Sequence, residues 1–464
     1  MHTYKVFKKF SLQNYFQLLM LLTVFVSCKS DDGSLADIDE EIASEPIIEN
    51  PLPVFAVSTN GAEIVDEPKI AANFTITDDG EILYEGNMGI EIRGSSSQLF
   101  PKKSYGFETW DAEGNDIDAT LLEFPEEEDW ILNGPYSDKS LLRNVLIYDL
   151  ARDMDQYASR TRLVELSIND QSNGLYVFME KLKRDDNRID INKLKDDENE
   201  GEDLTGGYII KIDKSDKEGY TEQNSFNSDY GSVIDGTGGP IRFLYDDPDP
   251  DDITTEQKAY ISTYISDFED ALVSDDFTNP DTGYASYIDV DSFIDFFILN
   301  EISNNVDGYR ISTWMHKDKN EKLKMGPIWD FNLAFGNADY CSGGETNVWA
   351  YKFNERCPQD TWLVPFWWNR LLEDPAFTAR LKERWNTLRS GVLSDAAMLS
   401  KVDGYVQTMN DAGVIDANFN TWPVLGAYVW PNNFVGDDYN AEVSYLKEWI
   451  SDRTLWLDAS ISEL

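Results

Sequence analysis

The chain has 464 residues, and its 86 acidic and 39 basic residues give it a formal net charge of −47 at pH 7. A chain this negative would be repelled by phosphate backbones, which excludes nucleic acid as a partner. Hydrophobic residues make up 41% of the chain and aromatic residues 13%, enough to bury a large core. We therefore expect an ordered globular protein.

The first 27 residues have the layout of a secretion signal. An apolar run over residues 18–26 ends at Ser27-Cys28, and it is preceded by a basic start formed by Lys5, Lys8 and Lys9. The run is too short to span a bilayer, which takes about 20 residues. A small residue before a cysteine at the end of such a run resembles the lipobox of bacterial lipoproteins, although Phe25 stands where leucine is usual. We expect cleavage after residue 27 and lipid on Cys28; the alternative is an ordinary signal peptide with an incidental thiol.

Residues 28–51 are acidic and contain little to bury, so they are predicted to be a solvated tether behind the lipidated cysteine. The stretch Lys29-Ser30-Asp31-Asp32 resembles the acidic tag that sends some lipoproteins to the cell surface. The expected location is therefore the bacterial envelope, at the outer surface of the outer membrane, with the lipid as the sole membrane contact.

Residues 52–180 are predicted to form a β-rich N-terminal lobe. Segments 54–57 and 88–92 have strand character. Strands are also expected over 162–168 and 175–179, joined by a polar hairpin connection. A first helix is predicted where apolar residues recur at helical spacing, at Leu141, Leu142, Val145, Leu146 and Leu150.

One segment of this lobe could hold phosphate. It reads Arg93-Gly94-Ser95-Ser96 and continues to Pro101-Lys102-Lys103-Ser104-Tyr105. Small residues let backbone amides approach phosphate oxygens, and a lysine on the next strand could neutralise them. Taken alone the signal is weak, because Gly- and Ser-rich hairpins are common.

Residues 181–464 are predicted to form a larger, mainly helical lobe, with helices over 255–272, 290–302, 377–388 and 441–457. A β-rich lobe followed by a helical one indicates an α+β protein with a ligand cleft between them.

Two acids in the helical lobe are candidates for chemistry. Asp307 lies in a polar loop that follows a hydrophobic helix, and Asp330 sits between Trp329 and Phe331 at the end of an apolar strand. Buried acids are costly unless they are paired, hydrogen-bonded or bound to metal, so this pattern suggests a site. The alternative is that Asp330 caps a turn and Asp307 is an ordinary loop acid.

Cysteine and histidine usage narrows the chemistry further. Cys341 and Cys357 are predicted to form a disulfide, since an exported chain folds in an oxidising compartment. Of the two histidines, His2 falls in the predicted signal, which leaves His316. One histidine offers too few ligands for a zinc site and too little for a histidine-based hydrolase, so we favour neither class.

These segments together resemble the CotH (spore coat protein H) kinase family, from residue 52 to the C-terminus. The resemblance is carried by Arg93-Gly94-Ser95-Ser96 with Phe100 to Tyr105, Leu142-Arg143-Asn144, Gly174 to Lys181, Gly206-Gly207-Tyr208, Asn305 to Tyr309, and Trp329-Asp330-Phe331-Asn332. It implies a divergent, minimal protein-kinase-like fold in which a β-rich lobe and a helical lobe enclose ATP.

The resemblance also implies roles for individual residues. Asp307 would be the catalytic carboxylate and Asp330 a magnesium ligand, with manganese as a possible substitute. The residues expected to contact ATP are Arg93, Ser95, Ser96, Lys102 or Lys103, Glu180, Lys181 and Leu182. Because strand alternation puts Lys102 and Lys103 on opposite faces, one of the two can point into the cleft.

Two departures from the family and kinase patterns weaken the metal site. Protein kinases carry an asparagine five residues after the catalytic aspartate, and here that position is Ser312. The aromatic-flanked motif commonly ends in aspartate, and here it ends in Asn332. Both residues are candidate metal ligands, but poorer ones, which leaves a weak kinase or a pseudokinase open.

The sequence thus favours an exported kinase that transfers the γ-phosphate of ATP to a hydroxyl of a secreted or surface protein, with magnesium. The alternative is a pseudokinase that binds glycan or an envelope protein through the aromatic clusters at 362–368 and 422–430, although large aromatics are mostly core. A glycosidase with paired carboxylates ranks last, because the many acids make any pair unremarkable.

Overall fold

The N-terminal part of the chain folds as a closed β-barrel. The computed structural model describes residues 51–215, 219–235 and 237–464. The predicted signal at 1–27, the lipidated Cys28 and the tether up to residue 50 lie outside the described residues. The barrel strands are β1 (Val54–Ser58), β2 (Ile70–Asp78), β3 (Glu81–Arg93), β4 (Ser104–Trp110), β5 (Asp129–Asn133), β6 (Thr161–Ile168) and β7 (Gln171–Glu180), with helix α1 (Arg143–Asp153) between β5 and β6.

The barrel closes because its first strand pairs with a late one. The strand order is β1-β2-β3-β4-β5-β7-β6, and β6 returns to pair with β1 in parallel. Side chains alternate along each strand, so every second residue points inward. The interior is filled by stacked aromatic rings, among them Phe55, Phe74, Phe107, Trp130 and Phe178.

The predicted hairpin is confirmed with a shorter connection. β6 and β7 are joined by Asn169 and Asp170 alone, with φ of 49° and 62°. Asparagine and aspartate tolerate the left-handed region that a two-residue hairpin turn requires. Residues 171–174, which were predicted to belong to the connecting loop, are therefore part of β7 and pair with β6.

The C-terminal part contains a second sheet that the sequence did not predict. Its strands are β8 (Tyr208–Ile212), β9 (Ser225–Asn227), β10 (Arg242–Asp247), β11 (Thr313–Lys317) and β12 (Lys324–Ile328), in the order β12-β11-β8-β10-β9. All neighbours pair antiparallel. The prediction that residues 181–464 are mainly helical therefore missed this sheet, although it did expect the apolar strand before Asp330, which is β12.

Helices pack on this sheet and complete the mixed α and β architecture. They are α2 (Thr255–Val273), α3 (Val290–Ser303), α4 (Phe353–Arg356), α5 (Trp367–Leu371), α6 (Pro375–Arg389), α7 (Asp395–Asp411), α8 (Val414–Thr421) and α9 (Tyr439–Glu463). The four helices predicted in this part correspond to α2, α3, α6 and α9. In the part of the chain that the structure describes, none of the helices combines the length and the apolar character needed to cross a bilayer.

Helix α3 is the central element of the C-terminal part. Asp289 caps its first turn by accepting a hydrogen bond from the Ser292 amide, 2.9 Å away. It is apolar on nearly every side and is buried from Ser292 to Ser303, which is typical of a helix inside a core. It ends at Asn304, which adopts the left-handed conformation with φ of 42°. That end places the following loop, residues 305–310, at the candidate site.

The predicted disulfide is confirmed. Cys341 and Cys357 are bonded, with 5.8 Å between their Cα atoms and 16 residues between them in sequence. Cross-linking a loop of this length stabilises the folded state by about 3 kcal/mol, chiefly by restricting the unfolded chain. Replacing both cysteines with serine should therefore lower the free energy of unfolding by about 3 kcal/mol in urea titrations. The control is the wild-type chain under reducing conditions, which should match the variant; unchanged stability in both would contradict the prediction.

Candidate functional site

The candidate site lies where three neighbouring strands of the second sheet end. Thr313 on β11 pairs with Ile212 on β8 and with Ile328 on β12. These three residues form a row across the sheet, at which β8 and β12 end and β11 begins. Asp213 and Asp330 lie just beyond this row. Asp330, which the sequence analysis singled out, and Asp213, which it did not, therefore lie at the same end of the sheet.

Asp330 is held in a strained backbone conformation by helix α1. Its φ is 60°, a region that aspartate tolerates better than most residues. Its amide donates to the Tyr148 hydroxyl over 3.1 Å, and the Phe331 amide donates to Asn144 Oδ1 over 2.7 Å. Two side chains of one helix thus fix the turn that presents the Asp330 carboxylate.

Asp330 is an exposed residue, yet the surrounding protein atoms partly desolvate its carboxylate. This desolvation is the largest of the effects that raise the pKa of Asp330 to about 6, and the negative charges of Asp307 and Asp213 act in the same direction. Arg93 and Lys214 act in the opposite direction. An acid held ionised against burial and like charge is suited to bind a cation.

Arg93 brings the barrel into this site. It is the last residue of β3, and its guanidinium lies 5.5 Å from the centre of the Trp329 ring. Burial lowers the pKa of Arg93, and the charge of Asp330 raises it. The segment Arg93-Gly94-Ser95-Ser96 and the segment around Asp330, singled out separately in the sequence, therefore meet in space.

The loop after Arg93 is shaped by Gly94. Its φ is 104°, and a Cβ at this position would stand 2.1 Å from Ser97 Oγ. Ser95 and Ser96 follow it and are exposed. The structure therefore places both predicted ATP contacts in an exposed turn beside Arg93.

Lys102 and Lys103 point in opposite directions. Lys102 is buried, and its Nζ donates to the Leu175 carbonyl over 2.5 Å and to Asn418 Oδ1 over 2.8 Å. Burial lowers its pKa well below the usual value. Lys102 thus ties the barrel to helix α8 and has no room for a phosphate. Lys103 is half-buried and donates to the Gln98 carbonyl over 2.5 Å, so it remains the candidate of the two.

The predicted linker residues Glu180, Lys181 and Leu182 have separate surroundings. The buried Glu180 carboxylate accepts from Arg160 Nη1 over 2.6 Å, and Lys181 Nζ pairs with Asp129 over 3.0 Å. Leu182 packs in an apolar cluster with Trp314 on β11, against which Trp329 also packs. Leu182 is therefore the member of this set whose cluster adjoins Trp329, the ring beside Arg93.

Asp307 is positioned by an arginine and a tyrosine. Its Oδ1 accepts from Arg310 Nη2 over 2.9 Å and from the Tyr340 hydroxyl over 3.4 Å. Arg310 is buried, pairs also with Asp360 over 3.2 Å, and lies over the Phe353 ring. The loop acid expected from the sequence is thus held in one orientation close to Asp330, whose pKa it raises.

Asp213 was missed by the sequence analysis. It follows β8 directly, and its carboxylate accepts hydrogen bonds from the backbone amides of Lys214 and Ser312. Burial raises its pKa, whereas Lys211 lowers it. Asp330 was singled out because it is an acid directly after an apolar strand. Residues 209–213 have the same pattern, so the same criterion would have identified Asp213.

The oxygen donors at this edge match the chemistry of a magnesium site. Ser312 contributes its amide to Asp213 and has φ of 49°, and Asn332 lies half-buried two residues after Asp330. Carboxylate, amide and hydroxyl oxygens are the hard ligands that magnesium and manganese accept. The donor set therefore fits the metal that the resemblance implies.

The aromatic clusters divide between core and surface. Trp367 and Trp368 are buried, as expected of large rings beside helices. Tyr428 and Trp430 are instead 57% and 51% exposed. Trp430 is parallel to the Tyr340 ring at 6.5 Å, so this exposed pair adjoins the residue that contacts Asp307.

Comparison with known proteins identifies the family of the chain. A search of curated proteins found no match. A family model described as CotH kinase protein matches residues 90–457, a span that includes Arg93, Asp213, Asp307 and Asp330. This match covers most of the chain, and the chain therefore belongs to the CotH kinase protein family.

Proposed function

We propose that this protein is a kinase-like phosphotransferase that moves the γ-phosphate of ATP to a hydroxyl group of an exported protein. The observation that carries the proposal is the meeting of Arg93 from the barrel with Asp330 and Asp307 from the C-terminal part. Phosphoryl transfer needs a cation for the phosphates, a carboxylate for metal and a carboxylate near the acceptor. All three kinds of group lie close together at this site.

The order of the parts along the chain also supports a kinase-like fold. Asp307 follows α3, the β11–β12 hairpin comes next, and Asp330 follows that hairpin. In protein kinases the catalytic-loop aspartate likewise precedes the aspartate that binds magnesium. Membership of the CotH kinase family is consistent with this assignment.

Each group has a task in the proposed reaction. When bound, magnesium or manganese would neutralise charge on the β- and γ-phosphates, and Asp330, with Asn332 and Ser312 nearby, would hold it. Arg93 would bind phosphate oxygens, and Lys103 could join it by leaving the Gln98 carbonyl. Leu182 and Trp314 would offer an apolar surface to the base.

Asp307 would act on the acceptor. The acceptor oxygen attacks the γ-phosphorus, the bond from that phosphorus to the β–γ bridging oxygen breaks, and ADP leaves. Asp307 would accept the proton of the acceptor hydroxyl. Arg310 and Tyr340 keep its carboxylate in place for that transfer.

If the signal is cleaved and Cys28 is lipidated as predicted, this activity would lie in the cell envelope, on a lipid anchor. The acceptor would then be a hydroxyl on a secreted or surface protein. Nucleotide would have to be supplied outside the cytoplasm or met during export.

The experiment is phosphate transfer from γ-labelled ATP by the purified chain, with magnesium or manganese. Asp307→Asn should lower label transfer at least about 100-fold, the usual contribution of a general base. Nucleotide affinity, measured by calorimetry, should stay the same. The matched control is Asp275→Asn, an equal charge change at an exposed position after α2. Equal label transfer by Asp307→Asn and wild type would refute the proposal.

The exposed aromatic pair supports a second candidate, a binding module for glycan. Tyr428 and Trp430 present ring faces to solvent beside Tyr340, and such faces can stack on sugar rings. Calorimetry with soluble polysaccharides tests it, with Trp430→Ala as the variant. Binding of polysaccharide without binding of nucleotide would favour this second function.

A further inference from the structure

The metal site proposed above has fewer carboxylates than the family and kinase sequence patterns would give it. Ser312 stands where a kinase has a second metal-binding side chain, and Asn332 stands where the family commonly has aspartate. We propose that Asp213 is a metal-binding residue of this site and supplies the carboxylate that Ser312 and Asn332 do not provide. This inference rests on the proposed function.

The strand register places Asp213 correctly for that role. β8 and β12 flank β11, and Ile212, Thr313 and Ile328 form one row across them. Asp213 follows this row on β8, and Asp330 follows it by two residues on β12. Because β11 lies between β8 and β12, the backbones of Asp213 and Asp330 are two strand spacings apart, each of about 4.8 Å. Two aspartate side chains that point toward each other can largely close this gap.

Side-chain alternation turns Asp213 toward the site. Ile212 belongs to the core on the helical side of the sheet, whereas Lys211 lies over Trp314 on the opposite face. Asp213, one residue further, returns to the face of Lys211. Its charge raises the pKa of Asp330, and the charge of Arg93 acts on both Lys211 and Asp330, so these groups lie close to one another.

The carboxylate of Asp213 is oriented but not neutralised by its hydrogen bonds. Lys214 N donates to Oδ1 over 2.8 Å, and the Ser312 amide also donates to it. The nearest lysine on its own strand, Lys211, bonds to Asp246 Oδ1 over 2.5 Å. The residue expected as the second metal ligand therefore contributes its backbone to hold Asp213 in place.

Among the three acids of this site, Asp213 and Asp330 are the natural pair. Asp307 is already held by Arg310. Within the described residues, three acids come within 4.8 Å of one another at Asp118, Glu127 and Glu128 and nowhere else. Lys183 bonds to Glu127 and Glu128 there, so an ammonium already occupies that cluster. The carboxylates of Asp213, Asp307 and Asp330 thus do not all lie within 4.8 Å of one another, and Asp307 is paired with Arg310, so Asp213 and Asp330 are the pair we assign to the metal.

The first experiment measures manganese binding by electron paramagnetic resonance on the purified chain with a non-hydrolysable ATP analogue. Asp213→Asn should weaken Mn²⁺ binding at least about tenfold, the loss typical for groups that serve a metal. Asp267→Asn, an equal charge change at an exposed position on α2, should bind Mn²⁺ like wild type. Thermal melting without metal checks that each variant is folded.

The second measurement needs no variant. Crystals of the wild-type chain soaked with Mn²⁺ and the analogue should show an anomalous peak within about 2.0–2.4 Å of an Asp213 carboxylate oxygen. Manganese at Asp330 without contact to Asp213, or unchanged affinity in folded Asp213→Asn, would overturn the assignment and leave the proposed function standing. Weakened Mn²⁺ binding in a chain that transfers no phosphate would instead refute the function and keep the metal site.

Discussion

Asp330→Asn should abolish metal binding and yet make the metal-free chain slightly more stable. Asparagine keeps the amide that donates to Tyr148 and tolerates φ of 60°, so the turn should survive. It removes a carboxylate whose ionised form is disfavoured by burial, Asp307 and Asp213. We expect Mn²⁺ affinity to fall at least about 100-fold and the melting temperature to rise on the order of 1 °C.

The pH dependence of this variant follows from the sign of the shift. The pKa of Asp330 is raised to about 6 in the folded chain, above its value in the unfolded chain. The wild type therefore loses stability as pH rises from about 4 to about 6, and the loss stays constant above that range. Asp330→Asn should lack this loss. Melting curves from pH 4 to 8 measure it, and a lower melting temperature for the variant at pH 8 would contradict the prediction.

Metal affinity of the wild type should follow the opposite trend. Protons compete with metal for the Asp330 carboxylate, so Mn²⁺ binding should strengthen as pH rises to about 6 and level off above it. Titration of Mn²⁺ at several pH values checks this directly.

Breaking the buried pair of Glu301 and Arg453 should cost more stability than any surface change. Both side chains are fully buried, and Arg453 Nη2 lies 3.2 Å from Glu301 Oε2. Glu301 also accepts from the Tyr351 amide over 2.9 Å, so its carboxylate fixes the disulfide-bridged segment against α3. Arg453→Met would leave this carboxylate without its cation, and we expect a loss of about 3–5 kcal/mol in the free energy of unfolding.

The matched control is Arg380→Met. Arg380 pairs with Asp291 over 2.5 Å, but both side chains are largely exposed, so its loss should cost at most about 1 kcal/mol. Urea denaturation measures both variants. The double variant Glu301→Gln/Arg453→Met should lose less than the sum of its single changes, because the pair is removed together. A strictly additive result would mean that the two side chains are not coupled.

Local patterns in the sequence were enough for much of the architecture. Helices α1, α2, α3, α6 and α9 and the β6–β7 hairpin were predicted, because apolar periodicity reports which face of an element is buried. The second sheet was not predicted. Its strands β8 and β11 pair across about a hundred residues of sequence, and each has five residues, which is too few for a periodic signal.

The candidate site shows the same division. Asp330 and Asp307 could be singled out because acids beside bulky apolar residues are costly and call for a partner. The sequence placed Lys102 and Lys103 on opposite faces but did not say which of them faces the site. The tertiary structure answers this, because it buries Lys102 against Leu175 and Asn418.

The sequence by itself determined the acidic charge, the order of strands and helices that were long enough to show a period, the cysteine pair and two of the acids. Each of these depends on residue type or on spacing between near neighbours. The tertiary structure alone decided that Arg93 reaches Trp329 and Asp330, that α1 supports the Asp330 turn through Asn144 and Tyr148, and that Asp213 joins them. Those contacts join segments more than a hundred residues apart, and their positions follow from strand pairing and packing that local sequence does not encode.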